Sequence, residues 1–226
     1  MPLLEIIRHA GTSDDTASKA VDMGLRQHKT AIVVKEVPGF YVNRCLGPYI
    51  AETLALVSDG VEPAKIDKLM TKLGLPVGPI TLAKEVGLDG AYNVNQMLSK
   101  ALGVRMEGGD ARLYEEMIGQ GFLGKKSGKV IFVQPPKGKK NKKTVNTDAM
   151  NLVKKFQKKD LKLSDEDTVI RLISRFVNKA VLCVQDDIIA SPTEGDIGAV
   201  FASVFRLLLV DRSAMSTKLA ALSLRR

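Results

Sequence analysis

Pro38-Gly39-Phe40-Tyr41-Val42-Asn43-Arg44-Cys45-Leu46-Gly47-Pro48-Tyr49-Ile50-Ala51-Glu52-Thr53-Leu54 is where the chain changes period, and that change decides the fold. From here Val42, Leu46, Tyr49, Ile50, Thr53 and Val57 recur at three- and four-residue spacing, which predicts a helix with one apolar face ending near Asp59-Gly60. Pro63 suits the first turn of a second helix, whose stripe is Ile66, Leu69, Met70 and Leu73 before Gly74 stops it. Pro76, Gly78 and Pro79 then make a rigid connection, and further helices are predicted over 81–85, 90–102 and 111–120.

Upstream the pattern is β-α-β. Residues 3–7 and 31–34 are apolar runs without alternation, as expected of strands covered on both faces of a parallel sheet. Residues 13–27 between them read as a helix that Thr12 or Ser13 can cap, with Asp14 and Asp15 in its first turn. Two such strands are marginal in water and leave unpaired edges, so this unit belongs to a larger sheet or borrows one from a partner.

Downstream, the segment from Ser174 echoes that from Asn43. Val169, Leu172, Ile173, Phe176, Val177, Ala180 and Val184 repeat the helical stripe, and Pro192 with Asp196-Ile197 parallels Pro63 with Ile66-Asp67. Between the copies, Lys137, Lys139, Lys140, Lys142 and Lys143 form a Pro/Gly-punctuated run, followed by Lys154, Lys155, Lys158 and Lys159. Such a run reads as a solvated linker, mobile near 135–148, rather than a nucleic-acid or lipid site; no aromatic side chain interleaves the lysines to stack on bases. The net charge of +9 is therefore not spread over a binding face.

With 226 residues and 45% hydrophobic side chains the chain is expected to be globular and not secreted, with no stretch long and apolar enough to span a bilayer. Cys45 and Cys183, both in apolar helical patterns, read as buried small hydrophobes in a reducing compartment. No metal-ligand spacing is present, and Asp14-Asp15 and Asp186-Asp187 are adjacent pairs that face different directions on a helix. The stretch 119–126 is not a phosphate-binding loop: Lys126 stands where Ser or Thr is needed, and a helix precedes it.

Met1-Pro-Leu-Leu-Glu-Ile-Ile7, Pro38-Gly-Phe-Tyr-Val-Asn-Arg44, Gly74-Leu-Pro-Val-Gly-Pro79 and Gly121-Phe-Leu-Gly-Lys-Lys-Ser-Gly-Lys129, in this order and spacing, resemble the 3-hydroxyacyl-CoA dehydrogenase family. Asp196-Ile-Gly-Ala-Val-Phe201 after a second helical segment narrows the likeness to the α-subunit of the mitochondrial trifunctional enzyme and its multifunctional relatives in fatty-acid β-oxidation. The resemblance covers about residues 1–205. It implies a mainly α fold, a helical domain like the C-terminal domain of 6-phosphogluconate dehydrogenase. The implied divisions are a Rossmann remnant over 1–37, the helical domain over 38–134, a Lys-rich linker over 135–160, a partial second repeat over 161–205 and a divergent tail over 206–226.

The family, as the resemblance implies, passes hydride from the 3-hydroxyl carbon of an acyl-CoA to NAD while a histidine base takes the hydroxyl proton and a carboxylate orients the imidazole. Glu5 matches that carboxylate, Asn43 the amide that orients substrate and base, and Lys126 the lysine that approaches the cofactor. Each has a structural alternative: Glu5 suits a surface acid, Asn43 a helix cap, and Lys126 an ordinary exposed cation. His9 and His28, the only histidines, lie elsewhere than the family's base and are expected in solvent. The matching histidine, serine and Gly-rich dinucleotide turn are not among these 226 residues. The expectation is thus a partial dehydrogenase, inactive alone and without tight NAD binding; the alternative is a non-enzymatic partner of a full-length β-oxidation subunit, joined through the incomplete sheet or the leucine-rich tail. Glu5, without its histidine, is expected to be a buried charge short of a partner, so that Glu5→Gln leaves stability unchanged or slightly raised. A mitochondrial location is implied by the resemblance, although no Arg-rich transit segment follows Met1. Two departures stand out, Lys129-Val130 after the Ser-Gly pair and Arg206-Leu-Leu-Leu-Val-Asp211 in place of a Gly/Pro-rich turn.

Overall fold

The computed structural model describes residues 2–106, 108–129, 131–133, 144–157 and 161–202. The chain opens with β1 (Leu3–Arg8), α1 (Asp14–Arg26) and β2 (Thr30–Lys35), and the strands pair in parallel with Glu5 opposite Ile32. Ser13 caps α1 by accepting from the amide of Thr16, and Asp14 and Asp15 complement the helix dipole. Alternate residues of a strand face opposite sides. Leu3 and Ile7 of β1 and Ile32 and Val34 of β2 therefore turn to the main core, while Leu4 and Ala31 lie against Gly24 of α1.

A run of helices follows: α2 (Val42–Ser58), α3 (Pro63–Leu73), α4 (Pro79–Val86), α5 (Leu88–Leu102), a 3-10 turn at Gly103–Met106, and α6 (Ala111–Gly119). The α2 helix packs against α4, α5, α7 and α8 and is buried nearly all round. The single stripe expected of it is therefore too narrow: Cys45, Ala51, Leu54 and Leu56 are as buried as the predicted face. Asp67 of α3 reaches across to the start of α4, where its Oδ1 accepts from the amide of Ile80 at 2.9 Å and its Oδ2 from the hydroxyl of Thr81 at 2.5 Å. Gly78 permits this, because a Cβ there would stand 2.3 Å from the Asp67 carboxyl group.

The stretch expected as linker differs from that reading in its described part. Short antiparallel strands β3 (Phe132–Val133) and β4 (Thr144–Val145) lead into α7 (Thr147–Lys155), capped by Asn146 and seated on the core through Ala149, Leu152 and Val153. The lysines lie on the outer side of this helix, and its apolar side is what the charge run conceals. The lysines at 137–143 lie outside the described residues, as does the tail from 203 onward.

Finally α8 (Asp165–Gln185) lies along α2, and α9 (Pro192–Phe201) returns to β2. Tyr49 and Phe176 meet edge-on across α2 and α8, with ring centroids 6.5 Å apart. Between the same helices Arg171 pairs with Glu52 at 2.5 Å and with Asp59 at 2.9 Å, and Arg175 with Glu52 at 3.4 Å. One apolar core runs from Leu3 to Ala199, so the second helical segment packs into the body that holds the first.

Candidate functional site

Glu5 shares the core-facing side of β1 with Leu3 and Ile7, which is why a carboxylate comes to be half-buried there. Its Oε1 accepts from the amide of Tyr41 at 2.9 Å and from that of Val42 at 3.2 Å. These are the first amides of α2, whose own cap residue supplies no side-chain hydrogen bond. The expected buried charge short of a partner is therefore corrected: the positive end of α2 holds it. Burial raises the Glu5 pKa above its ordinary value, and the two backbone hydrogen bonds offset part of that rise. Oε2 makes no hydrogen bond to any described residue and is not sealed from solvent.

Asn43 stands one residue further into α2 and is exposed. It does not cap the helix, since Tyr41 occupies the cap position. Glu5 and Asn43 are thus brought to one helix end. Lys126 is not brought there: its Nζ lies 3.1 Å from Asp89 Oδ2, and this bond first, then the Gly90 amide, lowers the pKa of Asp89. Asp89 is in the first turn of α5, whereas Leu98, nine residues later, is the part of α5 that approaches Gly39 before α2. That separation is roughly 14 Å of helix axis. His9 and His28 are both exposed; His9 Nδ1 accepts from the Gly11 amide at 3.0 Å.

Tyr41 ties a further element to this point. Its hydroxyl donates to the carbonyl of Gly195 in α9 at 2.8 Å, and a Cβ on Gly198 would stand 2.7 Å from its ring. A second set of polar residues, Arg44, Arg105 and Lys179, gathers beneath the same end of α2. None of the three was predicted. Lys179 had one signal: Leu172, Phe176, Lys179 and Cys183 are spaced as a core stripe, with a lysine in a position that should be apolar.

Residues 39–134 match the model of the 3-hydroxyacyl-CoA dehydrogenase C-terminal domain. Over that segment the chain is similar to this family. Over most of its length the chain also resembles curated proteins. It is 41% identical over 205 residues to the fatty acid oxidation complex subunit alpha of Vibrio vulnificus, covering 91% of this chain and 28% of the relative. The same subunit of Idiomarina loihiensis is 44% identical over the same shares. Among solved structures, 3-hydroxybutyryl-CoA dehydrogenase from Escherichia coli superposes with a TM-score of 0.69 over 91% of this chain and 58% of its own, at 18% identity, a likeness of fold. The chain thus spans little more than a quarter of the curated relatives it matches. The expected mitochondrial location is overturned: the matching subunits come from bacteria, further Vibrio species and Shewanella included. Among the described residues, no helix is long and apolar enough to cross a membrane.

Proposed function

We propose that this chain forms the acyl-CoA-facing half of an NAD-dependent 3-hydroxyacyl-CoA dehydrogenase, within a protein complex of fatty-acid oxidation, and that its 226 residues do not carry out the reaction by themselves. The observation that carries this reading is the divided use of the Glu5 carboxylate. Oε1 is fixed by two amides of α2, and Oε2 remains open as an acceptor at the helix end that carries Asn43. A carboxylate anchored on one oxygen can hold an imidazole N–H with the other, which fixes the tautomer and leaves the second ring nitrogen to take a hydroxyl proton. Asn43, exposed on the next turn position, can donate and accept toward the same substrate oxygen.

Neither the turn between β1 and α1 nor Lys126 fits a dinucleotide. The turn between β1 and α1 holds one glycine, Gly11, whose amide is taken by His9, and Lys126 is engaged with Asp89 at a distance from Glu5. NAD, if it is bound, is held by residues other than these. The outer edge of β1 pairs with no described strand, and such an edge is where a dinucleotide-binding sheet could continue. A non-enzymatic partner of a β-oxidation subunit would use the same edge, and is the second reading.

Two measurements separate them. Fluorescence titration of the chain with NADH should show no saturable binding; a low-micromolar site would overturn the claim of dependence on another half. Co-expression with the dinucleotide-binding half of a bacterial relative should restore NAD-dependent oxidation of 3-hydroxybutyryl-CoA, with kcat reduced about 10²–10⁴-fold by Glu5→Gln. Complex formation without activity would favour the non-enzymatic reading, and full activity of Glu5→Gln would remove Glu5 from the mechanism.

A further inference from the structure

Below the start of α2, Arg44, Arg105, Lys179, Cys183 and Asp186 line a small, partly open cavity of about 10 Å³, room for one water-sized atom. The sequence places its walls on three elements: Arg44 on α2, Arg105 on the 3-10 turn, and Lys179, Cys183 and Asp186 at the end of α8. Arg44 and Lys179 are each only 7% exposed. A charge so buried normally has a partner. Arg44 spends its Nε on the carbonyl of Pro38 at 2.8 Å, which leaves the rest of its fork of donors. Lys179 makes no hydrogen bond or ion pair with any described residue.

The single carboxylate in the wall, Asp186, is already paired with Arg105 at 2.5 Å. Three cations therefore face one anion, and the unmatched charge is on the two buried members. The charges around Lys179 and Cys183 agree with a positive interior. Burial first, then Arg175, Arg105 and Arg44, lowers the pKa of Lys179, while a hydrogen bond from Cys45 and the nearby Arg44 and Lys179 lower that of Cys183.

We propose that this cavity is a phosphate-recognition site, taking one oxygen of a phosphate group against Lys179 and Arg44 while Arg105, half-exposed at the rim, reaches the remaining oxygens. The size of the cavity selects the occupant. Its floor has room for about one oxygen, so the body of the anion stays at the mouth, where a flexible guanidinium can close on it. A carboxylate on a protein surface would have to bring its backbone to the mouth along with its acid, which a small free anion does not. This site is separate from Glu5 and Asn43 and does not depend on the dehydrogenase reading.

Thermal unfolding of the full 226-residue chain tests it, comparing inorganic phosphate with chloride at equal ionic strength. At phosphate tenfold above its Kd the midpoint should rise by roughly 3 °C beyond chloride. Lys179→Met should abolish the rise. Arg105→Gln, a substitution at a largely accessible side chain, should weaken apparent binding several-fold without affecting folding. The Lys-rich stretch is unchanged in both variants, so loss of the rise locates the effect in the cavity. Coenzyme A run beside inorganic phosphate distinguishes a phosphate ester from the free ion by which gives the Lys179-dependent rise at lower concentration. Equal rises in phosphate and chloride, or a phosphate rise that persists in both variants, would overturn the proposal.

Discussion

Glu5 and Tyr41 are joined by a 2.9 Å hydrogen bond from the Tyr41 amide to the Glu5 carboxylate, so a strand at one end of the chain caps the helix that begins the dehydrogenase C-terminal domain. The bond makes Glu5 a structural residue as well as a candidate for orienting a base.

Glu5→Ala should remove the cap and cost about 1 kcal/mol. Glu5→Gln keeps an oxygen in the same place and eliminates the buried charge, so stability should be unchanged or slightly higher. The pH dependence has a definite sign. Because folding raises the Glu5 pKa, the contribution is most favourable at low pH and is lost as pH rises through the folded value. Urea unfolding at a series of pH values should show this slope in the parent and not in Glu5→Gln. A stability loss in Gln equal to that in Ala would mean that the charge itself is required.

Tyr41→Phe should destabilise the chain by about 1 kcal/mol, since the buried hydrogen bond from its hydroxyl to the Gly195 carbonyl is lost. Differential scanning calorimetry would read this as a lower midpoint. An unchanged midpoint would mean that α9 is held by ring packing alone.

Asp67→Ala takes acceptors from both the Ile80 amide and the Thr81 hydroxyl, and a loss of about 2 kcal/mol is expected. Asp67→Asn should lose less, because one oxygen remains. Guanidinium unfolding of the two variants ranks them, and the reverse order would contradict the capping role.

Leu152→Ala should cost about 2–4 kcal/mol if α7 is part of the core, its side chain being 2% exposed. A cost below about 0.5 kcal/mol is what a surface linker would give. Chemical unfolding of this one variant therefore decides between the two descriptions of residues 147–155.

The helices from Val42 to Gly119 were legible because Gly and Pro punctuate them and their apolar spacing is regular. Their boundaries moved by only a few residues, as at α4, which begins at Pro79 instead of 81. Less legible was anything joined across distance. The amide hydrogen bonds of Glu5 reach to position 41, and no local pattern announces them. In α8 the buried face centres on Leu172, Phe176, Lys179 and Cys183, about one position from the predicted Ala180 and Val184, because α2 and the cavity take Lys179 inward. In α7 the apolar side chains of Ala149, Leu152 and Val153 were outweighed by the lysines around them. Asn43 and Lys126 were found by motif alone, and the motif could not tell that one lies in the helix turn that Glu5 caps while the other is paired with Asp89.

The contact of Tyr41 with Gly195 bridges 154 residues, and β2 meets the turn before α9 through Lys35 and Ile188. On the ribosome, the strand and cap that present Glu5 must therefore wait for α9 to emerge. At typical synthesis rates that delay is on the order of ten seconds, during which an apolar strand pair lacks the helix that covers it. The region carrying the candidate site is thus the part of the nascent chain with most need of a chaperone.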